Sequence, residues 1–158
     1  MSKSDRVHYS CLLSLALAIA VASPGRSRAD VLEPMQKAGE FSIYIGVMPS
    51  QIVGGHPAGH PEATMHGGAP SGGRSKHLVA AVFDPAGHRV EDLSVNAIIS
   101  EPGHVDVQRV RLEPMQIANT ITYGAFITVS DRERETIVIE LSKGVELKPI
   151  SATFTYVP

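Results

Sequence analysis

The sequence predicts an all-β chain, on three observations. Seven short stretches read as strands, most of them alternating apolar and polar residues with period two, the mark of half-buried strands. Turn-forming residues separate these stretches at short intervals. Beyond the apolar N-terminus, no stretch sustains helical spacing. The clearest strand is Phe41 to Met48, with Phe41, Ile43, Ile45 and Val47 on one face and Ser42, Tyr44, Gly46 and Met48 on the other.

The remaining strands follow in order. His77 to Asp84 is nearly continuous apolar, as expected for a strand covered on both faces, and Pro85-Ala86-Gly87-His88 reads as a turn. Val95, Ala97 and Ile99 alternate before Pro102-Gly103. Val105 and Val107 share one parity, but Val110 and Leu112 share the other, which predicts a β-bulge at Gln108-Arg109. Ile121, Tyr123, Ala125, Ile127 and Val129 line one face of the next strand. Asp131 to Arg134 then forms a charged hairpin tip. Ile137, Ile139 and Leu141 make a further strand, and Ile150, Ala152, Phe154 and Tyr156 the last. Seven strands of this kind favour an immunoglobulin-like β-sandwich over a closed barrel of eight. The expected core contains Ile43, Ile45, Val82, Val95, Ile121, Ile127, Ile137, Ile139 and Phe154.

The first 29 of the 158 residues read as a secretory signal peptide. Lys3 and Arg6 precede the apolar run Cys11 to Ala22, and small residues place cleavage after Ala22 or after Ala29. Twelve apolar residues fall short of a membrane span of about twenty. Residues 30–158 are therefore expected as one β-sandwich domain, periplasmic or secreted, not inserted in the membrane after cleavage. Loss of Lys3, Arg6, Arg26 and Arg28, and of one acid, Asp5, shifts the formal charge from −2 to −5. That balance disfavours nucleic acid as a partner. The mature chain would hold no cysteine, so its stability must come from the core rather than from disulfides.

One loop breaks the regular series. Residues 54–73 read GGHPAGHPEATMHGGAPSGG, with His56, His60, Met65 and His66 among seven glycines and three prolines. A loop this long inside a compact domain is usually functional or disordered. Imidazole and thioether together suit copper, the sulfur favouring its reduced form. Closed structural zinc sites typically use thiolates, and none is available. His77 opens the strand after the loop and is a further candidate ligand. Met48 ends the strand before it, on the parity opposite to the core. His88 and His104 fall in predicted turns and are left out of the site.

The stretch RLEPMQIANTITYG, residues 111–124, resembles a segment of periplasmic iron-uptake accessory proteins that bind copper in an immunoglobulin-like sandwich. In that family a ligand methionine is followed seven residues later by a ligand histidine, just before Tyr-Gly. Met115 matches the methionine, and Tyr123-Gly124 matches the Tyr-Gly. Thr122 stands at the histidine position. His77 matches another ligand, with Val79 where the family carries an acidic residue. The segment around the loop is also similar to uncharacterised exported bacterial proteins, which implies no activity.

Enzymatic signatures are missing from the sequence. No nucleophile elbow frames Ser50, Ser71 or Ser75, and no glycine-rich loop leads into a helix. The sequence therefore points to an exported copper carrier or accessory protein rather than an enzyme. Its candidate metal ligands are His56, His60, Met65, His66, His77 and Met115, and a membrane transporter or another envelope protein is the expected partner. The rival reading is a non-metal interaction module whose loop orders on a protein partner. There the histidines would confer pH sensitivity near their ordinary value of about 6.5.

Overall fold

In the computed structural model, residues 30–54, 70, 72–117, 119–144 and 146–158 are described. They form nine strands and one helical turn: β1 (Asp30–Leu32), β2 (Met35–Ala38), β3 (Phe41–Pro49), α1 (Ser50–Gly54), β4 (Ser75–Phe83), β5 (Ser94–Ser100), β6 (Val107–Ile117), β7 (Thr120–Thr128), β8 (Glu135–Lys143) and β9 (Glu146–Val157). All seven expected strands are present. Two short strands, β1 and β2, precede them, too brief for their alternation to stand out in the sequence.

The strands hydrogen-bond in the order β1-β9-β8-β5-β6-β7-β4-β3-β2, every neighbour antiparallel. The ribbon folds into two layers because β6 serves both. Val107 to Leu112 pair with β5, and Glu113 to Ile117 pair with β7. On the opposite side β1 pairs with β9 and β2 with β3, while Ile45 N donates to Pro34 O between them at 2.9 Å. One chain segment thus protects the edges of both layers, where unpaired backbone would otherwise invite aggregation.

The core lies between the layers. Ile43, Leu78, Val82, Tyr123 and Ile127 enter from one side, and Val95, Ile99, Ile137, Ile139, Phe154 and Tyr156 from the other. Of the expected core residues only Ile121, near the start of β7, is half-buried rather than buried. Burying these apolar faces is the main favourable contribution to folding. Tyr123 carries a hydroxyl into this region and satisfies it: Oη accepts from Leu93 N at 3.1 Å and donates to Val90 O at 3.3 Å. Burial, ahead of the other influences, pushes its hydroxyl pKa up.

The expected bulge at Gln108-Arg109 is not present. The β5–β6 register runs unbroken from Ser100↔Val107 to Val95↔Leu112. Val105 and Val107 are simply exposed, so their parity reports solvent rather than core. The irregularity falls instead between β8 and β9, at Leu141/Lys143.

One polar group in this frame stores a pH response. Glu135 is buried at the start of β8, where Oε1 accepts from Ser130 N and Oε2 has no hydrogen-bond partner among the described residues. Burial, more than the opposing Ser130 hydrogen bond, pushes its carboxyl above the ordinary 4.5; Glu101 adds to the rise and Arg74 opposes it. A raised acid contributes stability while protonated and loses it as pH rises through the folded value. Glu135→Gln is therefore expected to match the native protein near pH 4 and to exceed it by about 1–3 kcal/mol near pH 7. Paired thermal melts across that range check this, and a constant difference would contradict it.

Candidate metal centre

Alternation along the layer β2-β3-β4-β7-β6 gives it an inner face toward the core and an outer face away from it. On the outer face, Met48, His77 and Phe126 form one rung across β3, β4 and β7. Gly46, Val79, Gly124 and Glu113 form the next, and Thr122 pairs with Met115 beyond it. Outer-face residues of a sandwich are ordinarily wet. Here His77 is 2% exposed and Met115 1%.

The two buried donors meet over Gly124. A Cβ at that glycine would lie 2.4 Å from Met115 Cε, 2.9 Å from Met115 Sδ and 3.1 Å from His77 Nε2. The thioether and the imidazole therefore reach the same point above the sheet from either side. Glycine inside a strand often marks a close approach of this kind, and any side chain here would fill the space where the donors converge. The His77 ring also packs on Phe126, with centroids 5.0 Å apart and planes tilted by 41°.

A buried nitrogen and a soft sulfur facing one point fit a soft or borderline ion such as copper. Glu113, across from Gly124 on the next rung, is exposed and paired with Arg111 at 3.4 Å. Thr122 lies directly opposite Met115, and Val79 directly opposite Gly124. A hydroxyl and an isopropyl group thus stand where the resembling family carries a histidine and an acid. Among the described residues, no group of three His, Cys, Asp or Glu is placed to hold an ion.

The end of the long loop is fastened where β3 ends and β4 begins. Ser50 Oγ donates to Pro70 O at 3.0 Å, and Gln51 Nε2 donates to Gly72 O at 2.9 Å. Lys76 Nζ donates to Gly73 O at 2.8 Å, one residue before His77. His56, His60, Met65 and His66 lie outside the described residues. Of the six candidate ligands, the structure brings together His77 and Met115. Met48 is half-buried beside His77 in register. His88 and His104 sit in exposed turns next to carboxylates, His88 Nδ1 at 3.3 Å from Asp84 and His104 Nε2 at 3.8 Å from Glu101. Sequence reasoning overlooked Gly124 as the meeting point, although a glycine amid the alternation of β7 was its signal.

No protein-family model matches the sequence, and no curated protein sequence matches it. Solved structures do share its fold. A copper-bound variant of FetP from uropathogenic Escherichia coli superposes with a TM-score of 0.59 at 13% identity, over 81% of this chain and 95% of that one. Copper-reconstituted P19 from Campylobacter jejuni gives 0.57 at 12% identity, over 81% and 94%. A DUF4426 family protein from Pseudomonas aeruginosa gives 0.55 at 16% identity, over 77% and 88%. The chain has the fold of these proteins. The resemblance expected from the RLEPMQIANTITYG segment is thereby matched by the architecture around it. Among the described residues, no helix is long and apolar enough to cross a membrane.

Proposed function

We propose that this protein is an exported copper-binding carrier or accessory protein whose site is founded on His77 and Met115. The observation that carries this reading is the convergence of a buried imidazole and a buried thioether over a glycine. The copper-bound state of the FetP and P19 structures that share the fold supports it. With Thr122 and Val79 beside the donors, the site is poorer in hard ligands and biased toward reduced copper. His56, His60, Met65 and His66 complete the coordination from the loop, whose end is fastened where β3 ends and β4 begins. After removal of residues 1–29 as a signal peptide, residues 30–158 act as a single domain in the periplasm or outside the cell. There the protein hands copper to, or receives it from, a membrane transporter or another envelope protein. Its role is carriage rather than catalysis.

The test is copper titration of protein purified without a histidine tag, against a chromophoric chelator under reducing conditions. One equivalent is expected to bind tightly, and replacing His60 and His66 together by Ala is expected to abolish that tight binding. Metal bound to the native state adds stability, about 2.7 kcal/mol at a free concentration of 100 times the dissociation constant. Unchanged affinity in the double variant would remove the loop from the site. No binding by the native chain would favour the interaction-module reading instead.

A further inference from the structure

The same outer face carries a second concavity at the far end of β3 from Met48. It lies between the β2–β3 hairpin and the turn after β4 and encloses about 510 Å³, within the range of small-molecule sites. Ser42 and Ala81 form its floor. Tyr44 and Phe83 form one wall, their rings edge-to-face with centroids 5.4 Å apart and planes at 80°. The Arg89 guanidinium lies 4.7 Å from the Phe83 centroid and holds that ring in place. Tyr44 is 47% exposed, an aromatic ring left open on a strand that otherwise packs well.

The charges around the rim differ in how they are used. Asp84 is committed to its own turn, with Oδ1 accepting from Ala86 N at 2.9 Å and His88 N at 2.8 Å. Its Oδ2 faces His88 Nδ1 at 3.3 Å. Lys37 lies near the end of β2 and Glu40 in the hairpin turn, and neither side chain has a hydrogen-bond or ion-pair partner among the described residues. The cavity therefore offers one uncommitted cation, one uncommitted anion and an open aromatic wall.

We propose that this cavity binds a free aromatic α-amino acid as its zwitterion. The carboxylate pairs with Lys37, the ammonium with Glu40, and the side chain packs on Tyr44. A simple amine would leave Lys37 unused, and an aromatic acid would leave Glu40 unused. A residue within a peptide cannot present both charges next to its own ring. None of the residues involved is a candidate metal ligand, so this site stands independently of copper binding.

Proton NMR titration of the mature protein with L-phenylalanine tests the assignment. Saturable shifts of the Tyr44 and Phe83 ring signals are expected. N-acetyl-L-phenylalanine and phenethylamine, each lacking one charge, should bind about tenfold more weakly or worse. Glycine, without the ring, should leave both rings unmoved. Tyr44→Ser, at an exposed position, should abolish the response to L-phenylalanine. Lys37→Gln should weaken L-phenylalanine and leave phenethylamine unchanged. Shifts that fail to saturate, equal responses to all four probes, or full binding by Tyr44→Ser would each overturn the proposal.

Discussion

Replacing His77 by Phe is expected to lower copper affinity by more than about a hundredfold, with the fold retained. Phe keeps a ring of similar shape against Phe126 and on the floor over Gly124, and removes the ring nitrogens. Losing an outer-shell partner of a metal ligand already costs 10–100-fold, so losing a ligand should cost more. Gly124→Ala should have a similar effect for a steric reason. Its methyl group would occupy the point where Met115 and His77 meet, and the methionine tip must swing away. The accompanying stability loss should stay within about 1–3 kcal/mol, the usual cost of one added methyl in a packed site. Chelator competition gives the affinities and circular dichroism the fold, with His88→Ala as a control expected to bind copper normally. Native affinity in both His77→Phe and Gly124→Ala would move the site away from this floor.

Truncating Phe154 to Ala should destabilise the fold more than either change at the metal centre. Phe154 lies on β9 opposite Ile137 and is 1% exposed between the layers. Removing a buried phenylalanine forfeits its transfer free energy and leaves a cavity that the two layers cannot close, together about 3–5 kcal/mol. Urea unfolding of the metal-free protein measures it directly. A loss below roughly 1 kcal/mol would mean that the ring packs as a surface residue does. The copper contribution must be excluded, because a bound ion would add its own stabilisation to both proteins.

Most of the strand positions are legible in the amino-acid sequence, because period-two alternation is a local property of consecutive residues. Ile43 and Ile45, or Ile137 and Ile139, show their facing wherever the chain later goes. Sequence and structure part where alternation carries no core signal. Val105 and Val107 mimic a buried face while standing in solvent, and β1 and β2 are too short to alternate visibly. The switching of β6 between layers at Leu112 and Glu113 is equally hidden, since pairing partners are chosen by distant strands.

The candidate site divides along the same line. His77 and Met115 are legible one at a time, as ligand types on predicted strands near a histidine-rich loop and in a segment with a family resemblance. Their meeting is not, because it depends on β4 and β6 both flanking β7, and on Gly124 lacking a Cβ. The cavity beside Tyr44 and the buried carboxyl of Glu135 are hidden for a related reason. Composition, charge and periodicity are sums over neighbours in the chain, so they determined the all-β class, the strand positions and the chemical character of the donors. Which donors face one another, and how dry the place is where they meet, is decided by contacts between segments far apart in sequence. For this protein only the packing of β3, β4, β6 and β7 into one layer decided that.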